Sequence, residues 1–147
     1  MSQQEKILVS ACLAGVNCRY DGKNNDNIKI KKLIESGKDI IFVCPEQLGG
    51  LSTPRVPAEL IGDKILDKTG KDVTSNFQKG AEETLKIAKM FNIKFAILKA
   101  KSPSCGSKQI YDGTFSDTLT KGEGVTTTLL KKNGIEIINE YEITLRD

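Results

Sequence analysis

Three short apolar segments recur along the chain and predict buried β-strands. They cover residues 6–11, 39–43 and 94–100, and each is followed by small or turn-forming residues. Runs of this length that contain many β-branched side chains are typical of strands inside a sheet. A further strand is predicted at residues 135–140.

Segments with helical spacing lie between these strands. Apolar residues recur every three or four positions over residues 27–36, from Asp72 or Thr74 to Phe91, and over residues 126–133. Strands that alternate with helices form a largely parallel sheet joined by right-handed crossovers. The sequence therefore predicts an α/β fold with a mostly parallel open sheet, helices on both faces, and a site at the carboxyl ends of the strands. Its 147 residues show no repeat or linker, which predicts one domain over residues 1–147.

The remaining segments are predicted to be loops and small hairpins. Residues 45–58 hold three of the four prolines and are expected to form an ordered loop. Residues 59–67 read as a small hairpin. Residues 102–124 are polar and rich in glycine, with at most a weak hairpin at residues 109–115. Because loops of this length in compact domains are usually functional, we expect a lid or the wall of a site.

Histidine is absent from the sequence, and its absence excludes several kinds of active site. The chain cannot hold a Ser-His-Asp triad, a Cys-His dyad, or a zinc or copper site with histidine ligands. Its content of 38% hydrophobic and 28% charged residues suits a soluble globular protein. A net charge of +3 and an aromatic content of 5% do not favour nucleic acid as a partner.

The start of the sequence carries no basic segment before its first apolar stretch, which is short. It therefore predicts neither a signal peptide nor a spanning helix. We expect a cytoplasmic protein with no membrane partner. The four cysteines are expected to stay reduced in that compartment, which favours metal binding or thiol chemistry over disulfides.

Three of the cysteines, Cys12, Cys44 and Cys105, each follow one of the predicted strands. Because the carboxyl ends of parallel strands meet at one edge of a sheet, we expect the three side chains to be neighbours there. A single free cysteine is more often a small buried hydrophobic residue than a functional one. Three cysteines in equivalent places favour a shared site.

The spacing of the cysteines bears on the chemistry that such a site could support. Structural zinc sites prefer paired cysteines about two to four residues apart. Here Cys12 and Cys18 are farther apart and the other two cysteines stand alone, so a zinc site is possible but poorly supported by the spacing. The sequence contains neither the C-x-x-C pair of a redox dithiol nor the glycine-rich loop of a phosphate site. An iron–sulfur cluster needs thiolates without a fixed local spacing, and three of them would leave one iron open for a substrate.

Four separated motifs, SACLAGVNCRYDG, VCPEQLGGLSTPRVPAE, GKDVTSNFQKGAE and KAKSPSCGS, extend over most of the chain. Together and in this order they resemble the thiouracil desulfidase family in a short, single-domain form. The resemblance implies a 4Fe-4S cluster held by Cys12, Cys44 and Cys105, with one iron left open. It also implies that this iron takes sulfur from a small thiolated substrate, a nucleobase such as 2-thiouracil, and that the oxo base is released.

Two further residues, Glu46 and Ser102, lie in the same motifs, and the resemblance implies that they take part in catalysis beside the cluster. Replacing C=S by C=O requires activated water and delivered protons, which is a suitable task for a carboxylate near a dry metal site. Without the resemblance, Glu46 is equally well interpreted as a solvated loop acid. Without the resemblance, Ser102 is equally well interpreted as a turn residue before proline.

Other residues of the motifs are candidates for contacting the substrate or shaping the site: Arg19, Asp21, Arg55 and Ser104. An arginine such as Arg55 could bind an anionic group, or it could tie a loop down through bonds to carbonyl groups. Cys18 is left outside the ligand set, since it could also be a second sulfur handler or a plain buried thiol.

A second interpretation is a protein without enzymatic activity. In that case the cysteines would form a zinc-stabilised module or an iron–sulfur carrier, and Glu46 would have no special role. The chain is expected to lack the second domain of longer family members. The identity of the substrate and the oligomeric state therefore stay open.

Overall fold

A four-stranded parallel sheet forms the centre of the protein, for which a computed structural model describes residues 5–144. In chain order the strands are β1 (Ile7–Ser10), β2 (Ile40–Val43), β3 (Ala58–Ile61), β4 (Lys64–Asp67), β5 (Phe95–Leu98), β6 (Gln109–Tyr111), β7 (Leu119–Lys121) and β8 (Glu136–Asn139). The central sheet has the order β2-β1-β5-β8, and every neighbouring pair in it is parallel. The predicted α/β class and parallel sheet are confirmed.

Two antiparallel hairpins lie outside this sheet. The pair β3 and β4 turns at Gly62 and Asp63, as predicted. The pair β6 and β7 is wider than the hairpin predicted at residues 109–115, because residues 112–118 form an extra turn between its strands. That turn is held by its own polar groups. For example, the Asp112 carboxylate accepts a hydrogen bond from the backbone N–H of Thr114 at 2.9 Å.

Within residues 5–144, four α-helices connect the strands, and two short 3-10 turns follow β1 (Ala11–Ala14) and β8 (Glu140–Glu142). The helices are α1 (Ile28–Glu35), α2 (Pro45–Leu48), α3 (Thr74–Met90) and α4 (Val125–Lys132). The prediction of a loop at residues 45–58 is wrong at its start. Proline is tolerated in the first turn of a helix, where its missing N–H is not needed, so α2 begins at Pro45. Among the described residues, no helix is long and apolar enough to cross a membrane.

Helices cover both faces of the sheet. Leu8 and Val9 are neighbours in β1, and their side chains join different cores because successive strand residues point to opposite faces. Leu8 packs in one core with Ala88 of α3 and Leu130 of α4. Val9 packs in the other core with Ile30 of α1. This arrangement confirms the predicted helices on both faces.

The short helix α2 is held against α3 by two glycines that let the backbones approach closely. A Cβ atom at Gly49 would stand 2.0 Å from the carbonyl oxygen of Asn76. A Cβ atom at Gly80 would stand 2.0 Å from the carbonyl oxygen of Pro45. No side chain fits in either place without moving backbone. The contact therefore fixes the position of α2 and of Cys44, the residue just before it.

We expect Gly80→Ala to destabilise the protein although alanine is the better helix former. The helix preference favours alanine by about 1 kcal/mol, but forcing a methyl group against the Pro45 carbonyl costs more, since overpacking typically costs about 1–3 kcal/mol and this overlap is with backbone. Denaturant unfolding should show a lower free energy of unfolding. Lys79→Ala, an exposed change on the same helix, is the control and should leave stability within about 0.5 kcal/mol. A Gly80→Ala variant as stable as the control would contradict the close packing.

Candidate active site

A cavity of about 740 Å³ opens at the carboxyl ends of the central strands. Its wall includes Ser10 at the end of β1, Val43 at the end of β2 and Lys99 directly after β5. Loops complete it, including part of the predicted wall at residues 102–124, which contributes Tyr111. The cavity therefore lies at the sheet edge where the sequence predicts a site.

All four cysteines line this cavity, and all four are free thiols. Cys12 lies in the 3-10 turn after β1, Cys44 precedes α2 at the end of β2, and Cys105 lies in the turn after β5. Cys18 lies between the first two along the wall. Its thiol interacts with both Cys12 and Cys44, and its carbonyl oxygen accepts a hydrogen bond from Cys44 Sγ at 3.7 Å.

The four thiols have different acidities. Interaction with the Cys18 thiol holds the pKa of Cys12 below its usual range and lowers the pKa of Cys44 to about 7. The same interactions raise the pKa of Cys18, with burial as a further cause. Burial raises the pKa of Cys105 to about 12, although the nearby hydroxyls of Ser10 and Ser104 partly oppose the effect.

Asn25 lies at the site although no sequence pattern indicates it. Its side-chain amide donates a hydrogen bond to Cys12 Sγ at 3.4 Å, and its backbone N–H donates to the Cys12 carbonyl at 2.9 Å. Asn25 also accepts a hydrogen bond from Arg19 at 3.2 Å. Asn25 stands in a polar loop with no periodicity, so only the folded chain shows its contact with the cysteine.

Arg19 lines the cavity, and Asp21 holds it there from outside. The Arg19 guanidinium is 3.1 Å from the Asp21 carboxylate, which itself also accepts a hydrogen bond from the backbone N–H of Lys23. Asp21 is not part of the cavity wall. Of these two candidates, the structure thus brings Arg19 to the site and gives Asp21 a supporting position.

Arg55 ties two segments of the site together. Its Nη2 donates to Glu46 Oε2 at 2.9 Å and to the Cys18 carbonyl at 3.0 Å, and its Nη1 donates to the Ser52 carbonyl and the Thr53 hydroxyl. Only 7% of the side chain is exposed. Both terminal nitrogens are thus engaged by protein groups, as the loop-tying interpretation expects, while Nε is buried and has no hydrogen-bond partner among the described residues.

Glu46 and Ser102 both line the cavity. Glu46 lies in the first turn of α2, where Arg55 fixes one of its oxygens. The Ser102 hydroxyl accepts hydrogen bonds from the backbone N–H groups of Ser104 and Cys105, at 3.1 and 2.6 Å. It therefore shapes the turn that carries Cys105.

Ser104 is one site candidate that the structure places behind the cavity. Its hydroxyl shares a hydrogen bond with Thr126 at 2.7 Å, and the side chain is fully buried. It lies 3.8 Å from Cys105 Sγ but is not part of the wall. Its position anchors the Cys105 turn to the start of α4.

An ion pair between a buried carboxylate and a half-buried lysine supports the cavity from the side of β8. Lys99 Nζ lies 2.8 Å from Glu140 Oε2, and Glu140 Oε1 accepts a hydrogen bond from the backbone N–H of Ala100 at 2.8 Å. The backbone N–H of Lys99 donates to the Ser10 hydroxyl, which in turn donates to Cys105 Sγ. Sequence reasoning missed Lys99 and Glu140, because residues 41 positions apart show no local signal.

The donor set of the cavity fits an iron–sulfur cluster. Thiolates are the ligands that hold such clusters, and here four thiols face one cavity from three strand ends. In the described part of the chain, no three His, Cys, Asp or Glu side chains are gathered closely enough to hold a single metal ion. The cavity that the four cysteines line has a volume of about 740 Å³, which leaves room for a cofactor of several atoms.

Comparisons with known proteins agree with this picture. The sequence profile of the 2-thiouracil desulfurase family matches residues 7–142. The uncharacterized protein YbbK of Bacillus subtilis (strain 168) is 48% identical, and the alignment covers 93% of this chain and 97% of YbbK. The solved structure of the [4Fe-4S]-dependent thiouracil desulfidase TudS has a TM-score of 0.89 at 44% identity, covering 95% of this chain and 93% of that one. The family match confirms the resemblance seen in the four motifs.

We expect Glu140→Ala to destabilise the protein by about 1–3 kcal/mol, because the change leaves the buried backbone N–H of Ala100 without its acceptor and Lys99 without its ion-pair partner. Denaturant unfolding is the measurement. Glu123→Ala is the matched control, since Glu123 pairs with Lys131 at the surface, where an ion pair contributes about 1 kcal/mol or less. Equal losses in the two variants would show that the Lys99 pair does not support the fold.

Proposed function

This chain belongs to the 2-thiouracil desulfurase family, and we propose that it is an iron–sulfur-dependent desulfidase that removes sulfur from a thiolated nucleobase such as 2-thiouracil. The observation that carries the proposal is the convergence of four free thiols, Glu46 and Ser102 on one cavity at the carboxyl edge of the sheet. The similarity to a [4Fe-4S]-dependent thiouracil desulfidase supports it.

The proposal assigns Cys12, Cys44 and Cys105 as the three ligands of a 4Fe-4S cluster with one open iron. The proposal is supported by the fact that these residues follow three different strands and line one cavity. Such a cluster, when bound, supplies an iron that can accept sulfur. Cys18 stays outside the set and acts on the side chains of Cys12 and Cys44.

Glu46 and Ser102 are proposed to handle protons and water. Replacing C=S by C=O consumes one water and releases the sulfur as sulfide, so protons must move between water, ring and leaving sulfur. Arg55 holds Glu46 Oε2, which leaves Oε1 to accept or return a proton. Both acceptor positions of the Ser102 hydroxyl are taken by backbone N–H groups, so its own proton is directed elsewhere and can be donated to a substrate.

The proposal also includes the class of substrate and the cellular compartment. A small thiolated compound is the substrate, and a reducing, cytoplasmic compartment would keep the four thiols free. Nucleic acid is not proposed as a partner, because a net charge of +3 provides little basic surface.

We expect anaerobic reconstitution to load about four irons per chain and to give broad visible absorption that bleaches in air. Substitution of Cys12, Cys44 or Cys105 by alanine should abolish cluster binding, because two thiolates cannot replace the charge and coordination of three. Cys18→Ala is the matched control within the same cavity and should keep most of the iron.

Iron content and absorbance of the five proteins are the measurements. Loss of the cluster from Cys18→Ala, with retention in one of the other three variants, would overturn the choice of ligands. Stoichiometric, colourless zinc in the wild type would instead support the interpretation as a zinc-stabilised module.

We expect Glu46→Gln to assemble a normal cluster and to lose about two to four orders of magnitude in turnover, the usual range for general acid–base catalysis. The change conserves size and leaves an acceptor for Arg55, but it removes the ionisable group. Single-turnover release of uracil from 2-thiouracil under anaerobic conditions, at equal iron content, is the measurement.

The control for this variant is Glu82→Gln, the same chemical change at an exposed carboxylate of α3 that lies outside the cavity wall. It should turn over like the wild type. Equal rates for Glu46→Gln and the wild type would remove Glu46 from the mechanism. A loaded wild type that releases no uracil would favour the carrier interpretation or a different sulfur compound.

A further inference from the structure

One wall of the cavity is built from the two hairpins rather than from the central sheet. The β3–β4 hairpin contributes Glu59, and the segment from β6 into the turn at residues 112–118 contributes Tyr111 and Phe115. None of these residues belongs to the proposed cysteine, Glu46 and Ser102 machinery. Tyr111 and Phe115 give this wall its aromatic part, and the four cysteines line the same cavity.

Glu59 joins the two hairpins through a buried carboxylate. Its Oε1 accepts hydrogen bonds from the backbone N–H groups of Gly113 at 2.9 Å and Phe115 at 3.2 Å. Only 8% of the residue is exposed. Hydrogen bonds to an ionised group are stronger than neutral ones, so this carboxylate is a firm anchor for the turn.

The turn packs closely against β3 at Gly113. Gly113 has a φ of +93°, and a Cβ atom there would stand 2.7 Å from Ile61 Cγ1 and 3.0 Å from the Leu60 carbonyl oxygen. Only glycine combines that backbone conformation with such a close approach. The turn is therefore seated directly on β3, beside Glu59.

Phe115 has a backbone conformation that bulky residues rarely adopt. Its φ is +55°, in the left-handed region, where a large side chain costs free energy unless its surroundings hold it there. The hydrogen bond from its N–H to Glu59 is such a restraint. The result is a half-buried phenyl ring that forms part of the cavity wall.

We infer that Phe115 provides a stacking surface for the planar heteroaromatic ring of the substrate, and that Glu59 is the residue that positions it. The inference rests on the proposed function for the identity of that ring. A planar base needs a flat apolar partner to be held in one plane, and stacking on an aromatic side chain provides one. Glu59 acts through Phe115, since its Oε1 is engaged by the turn.

The experiment measures binding of uracil, the unreactive product, to anaerobically loaded protein by titration calorimetry. Phe115→Ala should raise the dissociation constant about tenfold, a value within the usual range for loss of a base–aromatic stack. Phe115→Leu keeps an apolar side chain of similar size without an aromatic face, so its dissociation constant should lie between those of the wild type and Phe115→Ala. Iron content should not change. Lys121→Ala, an exposed change in β7 of the same hairpin and outside the cavity wall, is the control and should bind like the wild type.

The Glu59 variants separate positioning from plain structural support. Glu59→Gln keeps a side-chain oxygen that can accept from Gly113 and Phe115, so uracil binding should be nearly preserved. Glu59→Ala should weaken binding about as much as Phe115→Ala does. The double variant should be no weaker than either single one, because Glu59 acts only through the ring. Independent, additive losses would overturn the positioning role.

Turnover of 2-thiouracil by the same proteins distinguishes this inference from the proposed function. If Phe115→Ala leaves uracil binding unchanged, the inference of a stacking surface is overturned, even if the wild type desulfurates 2-thiouracil. If Phe115→Ala weakens uracil binding but the loaded wild type does not desulfurate 2-thiouracil, the proposed function is overturned and the stacking surface is supported. A loaded wild type that neither binds uracil nor turns over 2-thiouracil overturns both.

Discussion

Parallel pairing on both edges of β1 is the constraint on which the rest of the structure depends. The pairing aligns Ile7 with Ile40 of β2 on one side and with Phe95 of β5 on the other. Three strands therefore end at the same edge, and the three turns that carry the candidate ligands start there. A shift of one residue in β1 would exchange the faces of Leu8 and Val9, so packing of the two cores also secures the position of the cavity.

Around that edge, buried charges are held in place by backbone groups. Arg55 binds Glu46 and a carbonyl oxygen, and Glu140 binds Lys99 and a backbone N–H. Glu59 accepts from two N–H groups of the opposite hairpin. A buried charge is costly unless it is paired and hydrogen-bonded. The cost of moving any of them keeps the loops of the site in one arrangement before a ligand arrives.

The proposed site would carry out desulfuration without histidine, which the sequence lacks. Exchange of sulfur for oxygen needs a sulfur acceptor and groups that move protons. Under the proposed function, thiolates hold the acceptor, while a carboxylate and a hydroxyl on neighbouring turns move the protons. Glu46 is two residues from Cys44, and Ser102 is three residues from Cys105. Each proton-moving group thus shares its turn with a proposed ligand, so one piece of backbone positions both.

Local patterns in the sequence determined the strands, the long helices and the placement of Cys12, Cys44 and Cys105 after strand ends, because apolar periodicity and turn residues act over a few positions. The four motifs were enough to identify the family. The sequence did not reveal that Pro45 begins a helix rather than a loop. The position of that helix, α2, depends on close backbone packing against α3, which Gly49 and Gly80 allow.

Tertiary structure alone decided the rest of the site. It places the Arg55 guanidinium against the Cys18 carbonyl, Ser104 behind the cavity wall, and the Asn25 amide against Cys12 Sγ. It also linked Glu59 to a turn more than fifty residues away. Such contacts join polar side chains to backbone groups of distant segments. Their partners exist only once the sheet has brought those segments together, so no pattern of neighbouring residues can encode them.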